Sequence, residues 1–213
     1  TYLLRAAAFT SWRLLFFVSA FLGDVVETIW CRIAMGSWMS RSSVVWGPFS
    51  VVWGIAVAAV TSLLHRYRNR SCLFLFVAGT LLGGAYEYLC SVVLEAVTGK
   101  IFWDYSGYRF NLGGRINLTF CLFWGAAAII WFKGLYPRIS RQIEKIPVKI
   151  GKVLTWMMLV FMVCNLLVSY LALNRYTQRE EGIPAANQVQ EWLDENYSDE
   201  VMERIYPKAK DAP

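Results

Sequence analysis

Four acidic residues lie inside long apolar runs of this chain: Asp24 and Glu27 in one run, Glu87 and Glu95 in another. A charged side chain near the centre of a bilayer costs about 2.5–3.5 kcal/mol on insertion scales, so such residues face a protein interior and mark function. On a helix, Asp24 and Glu27 share one face. Glu87, Ser91 and Glu95, spaced by four, form a polar stripe. Carboxylates so placed could pair with arginines, help to bind a polar or charged solute, or carry protons.

The loops that follow these runs bring further polar and aromatic groups. If the runs cross a membrane, the helices and loops deliver these groups to one level, the outward half of the bilayer. Random placement would scatter them over both leaflets. Nine residues at this level are candidates for solute binding: Glu27, Arg41, Glu87, Glu95, Trp103, Asp104, Tyr105, Asn111 and Arg115.

Two interpretations of this cluster compete. In the first, Glu27 or Glu87 pairs with an arginine such as Arg41 or Arg115, and the pairs pin the loops to the helices. Buried pairs of this kind add little net stability, because desolvation offsets the attraction. In the second, the same groups line a water-accessible cavity that binds a small polar or charged solute. For the group as a whole we favour the cavity, and we expect at least one carboxylate to contact an arginine.

The rest of the chain offers little for catalysis. His65 is the only histidine, which excludes a His-based triad and a His-rich metal site. The five cysteines show no metal-ligand or redox spacing, so we expect them to be packing residues. There is no Gly-rich phosphate-binding motif, so the chain does not hydrolyse nucleotide by itself. We assign no catalytic residue and no metal, and the sequence identifies no cofactor.

The elements that must position the cluster are membrane helices. Hydrophobic residues make up 57% of the chain and charged residues 17%, against about 45–50% and about 25% in soluble domains. Roughly twenty apolar residues cross a bilayer. We therefore predict an all-α fold, a polytopic membrane helix bundle of five transmembrane helices. The predicted spans are Arg13–Met35, Val44–Leu64, Cys72–Val97, Ile116–Leu135 and Val153–Leu173.

Basic residues decide the orientation, because cytoplasmic loops are enriched in Lys and Arg. With five spans, eleven basic residues fall on one side and seven on the other. This bias predicts a cytoplasmic N-terminus and an outside C-terminus. The loop Pro137–Lys152 is the most basic, and we expect it to lie along the anionic cytoplasmic leaflet of the lipid bilayer.

The sequence divides into a five-span membrane domain, residues 1–175, and a short helical C-terminal extension, residues 176–213. The extension is acidic, with nine Asp or Glu against four Lys or Arg. Val189, Trp192 and Leu193 share one helical face, so we expect the extension to pack on the outer surface of the bundle. A basic membrane body with an acidic tail does not suggest nucleic acid as a partner.

A set of polar and aromatic residues across the chain forms a family pattern: Glu27, Arg41, Gly47-Pro48, Gly54, Glu87-Tyr88, Glu95, Trp103-Asp104-Tyr105-Ser106, Phe110-Asn111, Gly114-Arg115, Trp124-Gly125 and Pro137. In these residues the chain resembles the Putative ABC-transporter type IV family, the CmpB-like permeases. The tail segments Trp192–Glu195 and Met202–Pro207 are similar to the family's C-terminal extension. The resemblance implies a multi-span bacterial cell-membrane protein and a permease. The chain departs from the pattern in Phe49–Gly54, which lacks the family's second proline.

Three functions remain open on the sequence. The first is a permease or solute-binding component that needs an ATPase or other membrane subunit for energy. The second is a membrane enzyme that uses Glu27, Glu87 or Asp104 as acid or base on a lipid-linked or polar substrate. The third is an accessory subunit whose Trp103–Ser106 loop and tail dock another protein. The lack of a nucleophile with a base beside it counts against the enzyme.

Overall fold

A computed structural model describes the backbone of residues 2–207 and 209–211, and the side chains of residues 12–207 and 209. The fold is almost entirely helical. The helices are α1 (Tyr2–Met35), α2 (Val51–Leu64), α3 (Cys72–Thr98), α4 (Leu118–Ile130), α5 (Tyr136–Glu144), α6 (Val148–Glu180), α7 (Gln188–Asn196) and α8 (Asp199–Ile205). The strands are the two-residue pieces β1 (Lys100–Ile101), β2 (Asn111–Leu112), β3 (Ile116–Asn117) and β4 (Lys210–Asp211).

Four helical stretches within the described residues are long and apolar enough to cross a membrane. They are Trp12–Met35, Cys72–Thr98, Leu118–Glu144 and Val148–Glu180. The third combines α4 and α5 through a π-helical turn, Trp131–Leu135. Each overlaps one predicted span. The chain is therefore a multi-pass helical membrane protein, as predicted.

The fifth predicted span, Val44–Leu64, is not confirmed. Its helix, α2, begins seven residues late at Val51 and has 14 residues, and a 3-10 turn extends the helical stretch to Tyr67. Hydrophobicity alone could not show this, because residues 44–50 are as apolar as a helix but include Gly47-Pro48. Gly47 has a positive φ of 83°, a conformation that glycine adopts readily, and the proline after it lacks an N–H for a helix.

Side chains of α6 satisfy the irregular backbone before α2. Asn165, near the middle of α6 and fully buried, accepts from the N–H of Trp46 at 3.0 Å and donates to its carbonyl at 2.7 Å. Ser169 accepts from the N–H of Val45 at 2.9 Å. Ser50 caps the start of α2. Non-helical backbone is tolerated at membrane depth only when protein or cavity water satisfies its polar groups, and here polar side chains of the chain do so.

The membrane part is built from two helical hairpins, α1 with α2 and α3 with α4. Glycines let α3 approach α4 closely, as is common for membrane helices. A Cβ on Gly83 would come within 2.4 Å of Trp124, and one on Gly79 within 2.5 Å of Ala128. Helix α2 packs on α3 and joins the hairpins, and α6 lies against α1.

The two ends of the bundle differ in chemistry. At one end, here called the basic end, His65 contacts the Tyr136 hydroxyl at 3.0 Å. Lys133 donates there to the carbonyl of Arg70 at 2.8 Å. At the opposite end, here called the cavity end, lie Glu27, Glu87 and the loop between α3 and α4. The chain therefore alternates direction between these two ends from helix to helix.

The tail packs on the cavity end. Leu193, Tyr197 and Met202 of the tail form a buried cluster with Ala172 and Leu173 of α6. Strand β4 pairs antiparallel with β1, which follows α3. Leu193 is buried as the sequence predicts, whereas Val189 and Trp192 on the same predicted face stay exposed, so only part of the amphipathic face is used. Residues 208, 212 and 213 of the predicted extension lie outside the described residues.

Candidate functional site

Helix α1 contributes one face to the site. Glu27, Trp30, Cys31 and Ala34 follow the i, i+3, i+4, i+7 spacing of a single helical face, and all four line the same cavity. Glu27 lies 3.7 Å from Arg41 (Oε1 to Nη2), and both side chains are half-buried. The distance is long for a hydrogen bond, so the pair is a loose electrostatic contact. This contact confirms the predicted meeting of a carboxylate with an arginine.

Glu87 of α3 is the most enclosed acid of the site. The Tyr105 hydroxyl donates to its Oε1 at 2.7 Å, and the Trp124 indole donates to its Oε2 at 3.0 Å. Burial raises the pKa of the Tyr105 phenol above its usual value, so this hydroxyl stays protonated and remains a donor. The carboxylate is thus held by the loop from one side and by α4 from the other.

The loop between β1 and β2 is fixed by its own polar groups. Asp104 accepts from the N–H and the hydroxyl of Ser106 at 2.8 and 2.9 Å. The N–H of Tyr105 donates to the carbonyl of Gly114 at 2.7 Å. Gly114 has a positive φ of 68°, and a Cβ there would meet Asp104 Oδ1 at 2.8 Å. The Tyr105 ring also stacks on Phe120 of α4, with centroids 4.8 Å apart. The loop therefore presents Tyr105 to Glu87 in a preorganised position.

A second charged group lies beside the site and ties the loop to α3. Arg115 Nη2 contacts Glu95 at 2.5 Å, and its Nη1 donates to the Ser91 hydroxyl at 3.0 Å. The Trp103 indole donates to the Arg115 carbonyl at 3.0 Å. Asn111 supports the same loop by donating to the carbonyl of Tyr108 at 2.7 Å. This group has the arrangement that the pinning interpretation describes, because an arginine of the loop contacts Glu95 and Ser91 of the polar stripe on α3.

These elements surround a cavity of about 800 Å³, here called the polar cavity. Six of the nine predicted residues lie on its wall, namely Glu27, Arg41, Glu87, Trp103, Asp104 and Tyr105. The other three, Glu95, Asn111 and Arg115, do not contribute to that wall. The wall carries three carboxylates and one guanidinium, so its formal charge is negative.

Aromatic rings form much of the wall, and several were missed by the sequence reasoning. The rings on the wall are Trp30, Trp53, Trp103, Trp124, Tyr105, Tyr108, Phe120 and Phe123. Only Trp103 and Tyr105 among them were predicted site residues. The spacing of α4 contained the signal: Phe120, Phe123, Trp124 and Ala127 repeat the i, i+3, i+4, i+7 pattern and all line the cavity. Trp53 of α2 packs against Trp124 in a tilted arrangement, with ring centroids 4.7 Å apart.

Asp24 lies one turn before Glu27 on α1 and is only 5% exposed. Its Oδ1 has no hydrogen-bond partner among the described residues. Within the same part of the chain, no group of three or more His, Cys, Asp or Glu side chains is arranged to hold a metal ion.

The fold and the site together define a class: a multi-pass α-helical membrane protein with an acidic, aromatic-walled cavity at one end. The family model described as Putative ABC-transporter type IV matches residues 14–170. The chain belongs to this family. The matched region runs from α1 into α6 and includes every wall residue of the polar cavity except Pro207. No curated protein and no solved structure matches the chain.

Proposed function

We propose that the chain is the solute-binding membrane subunit of a transporter, a permease component, and that its solute is a small organic cation. One observation carries the proposal: the wall of the polar cavity holds three carboxylates, one arginine and a surround of aromatic rings. Rings within about 6 Å of a cation attract it through their quadrupoles, and aromatic cages are a recurring solution for quaternary ammonium groups. The cavity volume also lies in the range of about 300–1,000 Å³ that small-molecule sites occupy.

The charge balance selects against an anionic solute. An anion would have one guanidinium, Arg41, as its partner, and Glu27 already lies 3.7 Å from it. A cation would meet Glu27, Glu87 and Asp104 on the same wall. The oxygens of Glu87 each accept one hydrogen bond from Tyr105 or Trp124 and retain lone pairs for a further donor or charge. The site is therefore complementary to positive charge.

The orientation follows from the basic residues. The basic end carries the Lys and Arg of residues 66–70 and 133–152, and short loops rich in these residues stay in the cytoplasm. In the proposed topology this end, together with the N-terminus, is cytoplasmic in the cell membrane, and the polar cavity and the C-terminal tail face outside. Residues 176–213 act as an extension that covers the outer end of the membrane domain.

Energy for transport would come from a partner. The sequence contains no phosphate-binding loop, and the family is described as a type of ABC transporter, so an ATPase is the expected partner. The alternatives of a membrane enzyme and of a docking subunit have less support. Asp104, one of the candidate acid–base residues, accepts two hydrogen bonds from Ser106 that hold the loop in shape. The candidate docking loop is packed against α3 and α4 of its own chain.

The proposal is tested by calorimetric titration of the protein in lipid nanodiscs with tetramethylammonium, and with acetate as the probe of opposite sign. Glu27→Gln removes one charge from the cavity wall and keeps the side-chain shape. We expect it to weaken tetramethylammonium binding about tenfold or more. Glu95→Gln removes a carboxylate outside the wall and is the matched control, which should keep the wild-type affinity. Binding of acetate but not of tetramethylammonium would refute the proposal.

A further inference from the structure

A second cavity continues from the polar cavity into the bundle. It measures about 280 Å³ and lies among α1, α2 and α4; it is here called the apolar cleft. Its wall consists of apolar side chains and glycines, apart from the Ser19 hydroxyl. Apolar cavities of this kind stay dry and accept apolar ligands. The apolar cleft is therefore suited to a hydrocarbon group and unsuited to water or an ion.

The two cavities share part of their walls. Trp53, Trp124 and Ala127 line both the polar cavity and the apolar cleft. Trp124 has a dual position, because its indole N–H holds Glu87 on the polar side while its ring also lines the apolar side. One molecule could thus place a charged group beside Glu87 and an apolar chain past the Trp53–Trp124 pair. The cleft wall continues from Trp124 of α4 through Ile130 to Leu135 in the π-helical turn that follows.

The apolar cleft also opens toward the surface that faces lipid. Val26 of α1 and Ile130 of α4 line it and are 57% and 60% exposed. The helices α1 and α4 belong to different hairpins, and further toward the cavity end Trp30 and Phe123 meet between them with ring centroids 5.7 Å apart. An alkyl chain dissolved in the bilayer could therefore enter the cleft laterally, between α1 and α4, without passing the loops or the tail.

We propose that the ligand is an amphipathic cation, with its positively charged head in the polar cavity and its alkyl chain in the apolar cleft. The proposal rests on the proposed function and adds the chemical class of the solute. A small hydrophilic cation, by contrast, would use the polar cavity alone. The occupant is a single-chain organic cation from the membrane, and bilayer phospholipid in the cleft is the outcome that would contradict it.

The test uses decyltrimethylammonium with a photoreactive diazirine at the end of its chain, added to nanodiscs with the intact protein. After irradiation, labelled peptides are mapped by mass spectrometry. We expect labelling at the cleft wall, at Val57, Val60 and Ile130. Val26→Trp fills the mouth of the cleft and should lower this labelling at least fivefold. The matched control, Val163→Trp, adds the same bulk at an exposed position of α6 outside the walls of both cavities and should leave the labelling unchanged.

Two further arms separate the possible failures. Glu27→Gln should also lower labelling of the cleft wall, because the head group holds the chain in place. Labelling that survives Glu27→Gln, or that spreads equally over the lipid-facing side of α6, would show ordinary bilayer partition and overturn the inference. Tetramethylammonium binding to Val26→Trp tests the proposed function separately. If this binding is normal while wild-type protein shows no cleft labelling, the amphiphile inference alone fails; if tetramethylammonium does not bind wild-type protein, both fail.

Discussion

Replacing Asn165 by leucine should destabilise the protein by about 2–4 kcal/mol. Asn165 is fully buried and holds both backbone groups of Trp46, with bonds of 3.0 and 2.7 Å. A buried polar group that loses its partner costs about 1–3 kcal/mol, so two such groups give about 2–6 kcal/mol in total. We expect the lower part of that range because Trp46 is only half-buried and part of its backbone can find water.

The assay is equilibrium unfolding in mixed detergent micelles, followed by tryptophan fluorescence. Ser169→Ala removes one acceptor, for the N–H of Val45, and should cost about 1–2 kcal/mol. Asn174→Leu makes the same change as Asn165→Leu at an exposed position of the same helix and serves as the control. A free energy of unfolding for Asn165→Leu within about 0.5 kcal/mol of that control would refute the account of how the segment before α2 is held.

Three other predictions concern the tail, the loop and the orientation. Hydrogen bonds from Arg175 lower the pKa of Asp194 below its usual value. The stabilisation from this carboxylate is therefore complete above pH about 4 and is lost as pH falls through the lowered pKa. Asp194→Asn should remove this acid-dependent step from hydrogen exchange of the tail. Tyr105→Phe removes a donor at 2.7 Å from a buried carboxylate and should cost about 1.5–3 kcal/mol of unfolding free energy while tetramethylammonium affinity also falls. In a cysteine-free background, a single cysteine at position Ser106 should react with an impermeant thiol reagent in intact cells and one at Ser71 should not; the reverse pattern would invert the topology.

The four long spans could be predicted because each needs only an apolar run of sufficient length. The segment before α2 could not be predicted from hydropathy, because its partners, Asn165 and Ser169, lie more than a hundred residues away. Gly47-Pro48 was the available local signal, since a positive φ and a missing N–H both oppose a continuous helix. Helix length was therefore easier to predict than helix continuity.

The acids of the site could be found because charge inside an apolar run is costly and so rarely accidental. Their division into two groups could not be found. Glu87 faces the polar cavity, whereas Glu95, two turns later on the same stripe, contacts Arg115. That difference depends on the path of the loop, which brings Tyr105 to one acid and Arg115 to the other. The sequence could have shown the aromatic face of α4, whose helical spacing does not depend on distant contacts.

The most direct test of the central claim is to locate a cation in the protein itself. Arsenocholine carries a quaternary arsonium group whose arsenic atom can be located by anomalous scattering in a crystal. Our account predicts an arsenic peak inside the polar cavity, within about 6 Å of the ring centroids of Trp53 or Trp124 and on the side of Glu87. A saturating soak with the bromide salt that leaves this cavity without arsenic would contradict the claim that the cavity is a cation site. A peak from the bromide counter-ion beside Arg41, in place of the arsenic peak, would contradict it as well.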